Sequence, residues 1–153
     1  MRSHVHEVEI QPDWIDYNGH VRDAYYGLAF SQAVDAFMIE IGIDAGYRRE
    51  TGGTWYVVED HRRYLREVTK TSAKVIVHSN VVNRDEKRVH LSQRLYSPDE
   101  ETPAATGEAL QLHVVQHPVP RVAEMPEHVI RRLDEFRDQM TESTDFKLGL
   151  KRA

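Results

Sequence analysis

The chain has 153 residues, no cysteine, 40% hydrophobic residues and a formal net charge of -5. These figures exclude disulfides and thiolate chemistry, and the negative balance argues against a broad nucleic-acid footprint. No run approaches the ~20 apolar residues that cross a bilayer, and the length fits one domain whose modest core a second copy would extend.

The N-terminus, MRSHVHEVEI, alternates in polarity and lacks an apolar signal core, so it reads as a strand of a cytoplasmic protein. Residues 5–10 put Val5, Glu7 and Glu9 on one face and His6, Val8 and Ile10 on the other. Pro12 suits the exit from that strand, and Asn18-Gly19 marks a turn. Residues 24–41 then carry helical periodicity, with Tyr26, Phe30, Ala33, Phe37 and Ile41 on one stripe widened by Val34 and Met38. Asp23 is the expected N-cap and Gly42 the expected stop. Few polar residues and many alanines predict a mostly buried helix.

Short strands follow. Residues 55–59 are aromatic-rich, residues 73–83 are β-branched, and 88–96 return from a turn at Asn83–Glu86 as a hairpin. Residues 105–116 make a further strand, ended by Pro118 and Pro120. Residues 126–140 predict a second helix with Val129, Leu133 and Phe136 on its apolar stripe and Pro126 in its first turn. One domain over residues 1–140 is expected, with a loosely held tail over 141–153. One strand, one long helix, several antiparallel strands and a last helix describe an α+β domain, a curved antiparallel sheet wrapped around a central helix.

The stretch DWIDYNGHVRDAYY, residues 13–26, concentrates chemistry just before the long helix. Asp16 could act as a base or nucleophile, or merely cap the Asn-Gly turn. Asn18 could hold a water or a carbonyl oxygen, or supply a left-handed turn conformation. His20 could donate to a carbonyl or orient Asp16. No His/Asp spacing forms a recognised zinc motif, no G-x-S-x-G elbow is present, and no metal or cofactor is expected.

Asp16-Tyr17-Asn18-Gly19-His20-Val21, followed by Tyr25-Tyr26 and an apolar helix, resembles the signature of hot-dog-fold acyl-CoA thioesterases of the 4-hydroxybenzoyl-CoA thioesterase-like branch. There an aspartate two residues before the Asn/Ala-Gly step is the catalytic carboxylate, and Asp16 holds that place. PDWIDYNGHV, WYVVEDHRRYLREV, DEKRVHL and TGEALQLHVV together resemble betainyl-CoA thioesterases, found alone or fused to carnitine dehydrogenase. The resemblance implies hydrolysis of betainyl-CoA by a homodimer or dimer of dimers, with sites at the dimer interface. Alternatives are a thioesterase for another short or aromatic acyl-CoA, or a non-catalytic subunit that binds acyl thioesters.

A quaternary ammonium has no hydrogen to donate and is recognised by aromatic faces and carboxylates. Trp14, Tyr17, Tyr25 and Tyr26 form one candidate group, and Trp55, Tyr56, Glu59 and Asp60 a second. In a regular strand Trp55 and Glu59 share one face, and Tyr56 and Asp60 the other. Candidate partners for CoA phosphates are Arg62, Arg63 and Arg66, or Lys87 and Arg88 beside the hairpin turn.

Overall fold

Alanine-rich sequence without an internal proline makes Asp23–Glu40 the long helix α1 of the computed structural model, which describes residues 2–138. The strands are β1 (His4–Glu9), β2 (Gly53–Tyr64), β3 (Lys74–Arg84), β4 (Arg88–Tyr96), β5 (Ala105–Val115) and the short β6 (Arg121–Val122). Helices α2 (Ala45–Thr51) and α3 (Glu127–Asp134) complete the fold, with a 3-10 turn at Pro12–Trp14. The sheet runs β1-β3-β4-β5-β2, antiparallel throughout, with β6 beside β5. It curves around α1 as the sequence predicts.

The apolar stripe of α1 is divided between two core clusters. Tyr26, Ala29, Phe30 and Ala33 pack with Trp14, Val68, Val75, Val77 and Leu95. Phe37, Met38 and Ile41 pack with Trp55, Val81, Leu91, Val129, Leu133 and Phe136. Among the described residues β2 has no strand on its outer edge, and α1 and β2 line a groove between them.

Several elements depart from the sequence reading. Arg22, not Asp23, is the N-cap of α1, because Arg22 N–H bonds the Trp14 carbonyl at 2.9 Å and fixes the entry one residue earlier. Strand β2 runs well beyond residue 59. Its polar half is held by the backbone ladder to β5, ending at Tyr64 opposite Ala105. Helix α2 escapes periodicity because it is one short stretch, although Asp44 caps Tyr47 N–H at 2.8 Å and Gly52 closes it. Helix α3 is shorter than 126–140, with Pro126 at its N-cap. Its last residue, Asp134, takes a forked bond from Arg84 at 2.8 and 2.7 Å. Beyond it the chain folds back, and Val81 N–H bonds the Phe136 carbonyl at 3.0 Å. Residues 139–140 of the expected helix and the tail 141–153 lie outside the described residues. No helix among the described residues is long and apolar enough to cross a membrane.

Candidate active site

Residues 15–21 form a small hairpin, closed by an Ile15–Val21 bridge and by the Asp16 N–H on the His20 carbonyl at 2.8 Å. Gly19 N–H returns to the Asp16 carbonyl at 3.0 Å, and Gly19 adopts φ +78°, a left-handed conformation that costs glycine little. That removes the conformational role considered for Asn18, which is not among the positive-φ residues.

The Asp16 carboxylate does hold the turn. Its Oδ1 accepts the N–H groups of Asn18 at 2.9 Å and His20 at 3.2 Å. Its Oδ2 has no protein partner among the described residues. Asp16 also lines an open cleft of about 400 Å³ with His20, Arg22, Asp23, Tyr26, Tyr64 and Glu67. The N-terminus of α1 opens on this cleft without a side-chain cap, while Tyr25 N–H is already bonded to the Arg22 carbonyl. The first-turn amides of Asp23 and Ala24 are therefore the donors at the helix end. The Nδ1 of His20 pairs with Glu67, which orients the ring.

The aromatic candidates separate. Trp14 and Tyr25 stack with centroids 5.3 Å apart and belong to the core under the hairpin. Tyr26 is buried; its hydroxyl accepts Val68 N–H at 2.9 Å and its ring meets Tyr64 edge-on. Burial raises the Tyr26 phenol above its ordinary value. Tyr17 stands 91% exposed at the hairpin tip. Asn18 is also exposed and contributes its backbone N–H.

In β2 the expected alternation fails at one residue. Val57 pairs with Gln111 but Glu59 pairs with Leu110, so Val58 is an extra residue, a β-bulge. The bulge shifts the strand's phase. Trp55, Val57, Asp60 and Arg62 all face α1 and line a cavity of about 200 Å³ with Phe30, Ser31, Asp35, Met38 and Gln111. Glu59 pairs off that face and is exposed, and Tyr56 accepts a bond from Gln116 at 3.0 Å. Trp55 thus shares its face with Asp60, not with Glu59.

Asp60 and Arg62 pair at 2.8 Å. The Arg62 guanidinium lies on the backbone of Gly27, so closely that a methyl group there would stand 2.4 Å from Nη1. Glu108, at the cavity margin, has its carboxylate 3.4 Å from His90 Nε2. The cleft and the cavity follow each other along α1, with Arg62 and Gly27 between them.

The other cations scatter. Arg66 reaches Glu100 at 3.1 Å and the Thr102 carbonyl from the cleft wall. Arg63 pairs opposite Thr106 on the exposed distal part of β2. Lys87 and Arg88 sit at the β3–β4 turn, where Asp85 holds Arg88, at the sheet end remote from the Asp16 hairpin. Sequence reasoning did not single out Arg22, Glu67 or Lys70. The Lys70 side chain lies 3.6 Å from where a Gly19 methyl would be, and its N–H bonds the Gly19 carbonyl. Among the described residues no group of His, Asp and Glu is placed to hold a metal ion.

A curved sheet around one long helix, with a carboxylate hairpin at that helix's N-terminus, is a hot-dog thioesterase arrangement. The chain belongs to the thioesterase-like superfamily, whose family model matches residues 10–133, and it is an acyl-CoA thioesterase. Within that class it is homologous to betainyl-CoA thioesterases. It is 41% identical over 109 residues to the betainyl-CoA thioesterase of Pseudomonas aeruginosa, across 71% of this chain and 68% of that one. It is 38% identical over 135 residues to the L-carnitine dehydrogenase/betainyl-CoA thioesterase of Agrobacterium fabrum, spanning 88% of this chain but only 27% of that larger protein. A Staphylococcus aureus protein solved in complex with CoA superposes with a TM-score of 0.83 at 26% identity, over 98% of this chain and 96% of that one.

Proposed function

We propose that this thioesterase hydrolyses betainyl-CoA to glycine betaine and CoA, with Asp16 as general base. The observation that carries the reading is the β2 bulge, which turns Asp60 into the groove beside Arg62, close to the first turns of α1. Four residues separate Asp23 from Gly27, about 6 Å of helix. A thioester whose oxygen meets the Asp23 and Ala24 amides would place a short cationic acyl head at that level. The Asp60–Arg62 pair has side chains 41% and 34% exposed, and such pairs contribute little. The substrate ammonium takes Arg62's place as the counterion of Asp60.

The chemistry follows from the Asp16 carboxylate. With Oδ1 held by two backbone N–H groups, Oδ2 accepts a proton from water as the water oxygen attacks the thioester carbon. The helix-end amides stabilise the oxyanion. Collapse breaks the carbon–sulfur bond and releases CoA as the thiolate. His20, held by Glu67, borders the same cleft and helps to place the water. Arg22 and Arg66 line the cleft, Lys70 lies beside Gly19 of the hairpin, and the three supply positive charge for CoA phosphates. The complex of the Staphylococcus aureus relative with CoA supports a CoA thioester as the substrate.

The oligomer expected from the resemblance fits β2. Among the described residues its outer edge is unpaired, with Val57 58% and Val58 54% exposed, and an unpaired apolar edge strand favours pairing with another copy. Val58→Lys should lower the mass measured by light scattering to that of a monomer; an unchanged mass would remove β2 from the interface.

The test of function compares CoA-thiol release from betainyl-CoA and from 3,3-dimethylbutyryl-CoA, its neutral carbon isostere. A strong preference for the cation is expected. Equal rates would end the betainyl assignment in favour of another short acyl-CoA. No turnover of either, or of an aromatic panel including 4-hydroxybenzoyl-CoA, would favour a binding subunit.

A further inference from the structure

One row of the inner sheet face is polar where its neighbours are apolar. His4, Ser79, Gln93, Gly107 and Arg62 stand in register across β1, β3, β4, β5 and β2. On one side of the row Val77, Leu95 and Ala105 belong to the first core cluster, and on the other Val81 and Leu91 belong to the second. Gln93 stands at the centre of this row and is only 3% exposed. An amide buried between two apolar clusters is costly unless its polar groups are used.

The nitrogen of that amide is used. Nε2 donates to the Phe30 carbonyl of α1 at 3.3 Å and to Ser79 Oγ at 3.1 Å. A carbonyl only accepts, so the NH2 group must face Phe30, and this settles which way the amide points. The oxygen accepts no hydrogen bond among the described residues, and it is not one of the unpartnered polar atoms sealed inside the fold. Ser79 and Gly107 are the two cross-strand neighbours of Gln93, and the nitrogen is drawn to the Ser79 side. The oxygen is left to the Gly107 side, where Gln93, Gly107, Phe30, Asp60 and Arg62 line the cavity. Gly107 adds no side chain there, and the Phe30 ring lies over it, 3.4 Å from where a methyl group would be.

Arg62 stands on the far side of Gly107 from Gln93. A cationic head that takes Arg62's place beside Asp60 therefore faces the amide oxygen across a bare glycine. A quaternary ammonium covers that oxygen with no more than weak C–H contacts. An ammonium that keeps one hydrogen bonds it, with the strength of a charged donor. We propose that the enzyme also hydrolyses acyl-CoA thioesters headed by a tertiary ammonium, with the Gln93 oxygen accepting the N–H and Asp60 balancing the charge. Water again supplies the oxygen, and the products are the N,N-dialkylamino acid and CoA. The inference rests on the proposed place of the head beside Asp60 but not on betaine as the preferred substrate.

The experiment measures kcat/KM for N,N-dimethylglycyl-CoA, betainyl-CoA and 3-methylbutyryl-CoA, the neutral carbon counterpart of the first. It is run at about pH 6, below the ordinary range of an α-amine, with CoA release followed by chromatography. Wild type, Gln93→Met and Ser79→Ala are compared, with circular dichroism as the check on folding. In the wild type, dimethylglycyl-CoA is expected to turn over at least as well as betainyl-CoA, and about tenfold or more better than 3-methylbutyryl-CoA. Gln93→Met is similar in size and lacks the oxygen, so it should lower the dimethylglycyl-to-betainyl ratio by about tenfold or more. Ser79→Ala keeps the oxygen and should hold that ratio within about twofold. Turnover of betainyl-CoA without dimethylglycyl-CoA would overturn the proposal and leave the function standing, and turnover of dimethylglycyl-CoA without betainyl-CoA would do the reverse. Equal rates on dimethylglycyl-CoA and 3-methylbutyryl-CoA would show that size alone is read and overturn the proposal, whether or not the variants fold. So would a ratio that Gln93→Met leaves unmoved, or one that Ser79→Ala lowers as far. Inactivity on all three substrates would overturn both readings.

Discussion

The proposed mechanism gives Asp16 a second job beside the one it has in the turn, and two substitutions separate them. One is mechanical: Oδ1 accepts the Asn18 and His20 N–H groups at 2.9 and 3.2 Å and holds the hairpin. The other, in the proposed mechanism, is chemical, at Oδ2. Asp16→Asn keeps an oxygen acceptor for the turn but cannot take a proton. Asp16→Ala removes both. Each turn bond is half-exposed and contributes at the low end of the usual range, so their loss costs about 1–2 kcal/mol. For a chain of this size that lowers Tm by roughly 3–6 °C. General-base catalysis contributes on the order of 10²–10⁴-fold, about 3–5 kcal/mol of barrier. Thiol release should therefore fall by at least about 100-fold in both variants, while only Asp16→Ala melts early. The assays are CoA-thiol release at saturating substrate and thermal unfolding followed by circular dichroism. Turnover by Asp16→Asn within about threefold of wild type would refute the carboxylate as base. Equal destabilisation of the two variants would refute its place in the turn.

Gly27→Ala puts a methyl where Arg62 now lies, 2.4 Å from Nη1. The displaced atoms end a flexible side chain, and alanine is favoured over glycine inside a helix by about 1 kcal/mol. Tm should hold or rise while KM for the acyl-CoA changes several-fold; a marked loss of stability would show Arg62 to be fixed rather than exchangeable. Burial lowers the imidazole pKa values of His4, His78, His90 and His113 from the ordinary value near 6.5. His113 is 1% exposed, donates Nδ1–H to the Ala123 carbonyl at 2.8 Å and accepts the Tyr47 hydroxyl at 2.9 Å on Nε2, so its neutral form is built in. The unfolded chain binds more protons than the fold as pH drops through the ordinary value. Their stabilisation is thus complete above about pH 6.5 and lost below it. Melts at pH 7.5 and 5.0 should show a lower Tm in acid, and a flat or rising Tm would contradict the assignment.

The parts of this fold legible in the sequence were those written in side-chain pattern. Helix α1 shows in the recurrence of Tyr26, Phe30, Ala33 and Phe37, and the β3–β4 hairpin in two β-branched runs around a polar turn. Asp16 stood out because carboxylate, glycine turn and helix start are adjacent in the chain. What is held by backbone alone was harder to see. The distal half of β2, EDHRRY, has the composition of a loop and is a strand through its ladder to β5. Glu67 meets His20 across the cleft, and neither neighbourhood advertises the other. Trp14 and Tyr25 show the converse: aromatic residues beside the Asp16 hairpin are candidates for recognition in the sequence, and in the fold they pack beneath it.

The extra residue in β2 also separates what the groove recognises from what the fold requires. Upstream of Val58, Trp55 packs into the core; downstream, Asp60 and Arg62 line the groove, and Glu59 is turned away. Were the strand drawn straight without losing a residue, Glu59, His61 and Arg63 would face the helix instead. On β5 the same residues would face the helix, each paired one position earlier in β2, with Glu59 opposite Ala109 in place of Leu110. Two linings of different charge geometry are therefore encoded in one segment, and the pleat's phase selects between them. A lineage could change its acyl preference by moving a single kink, with every core residue left in place.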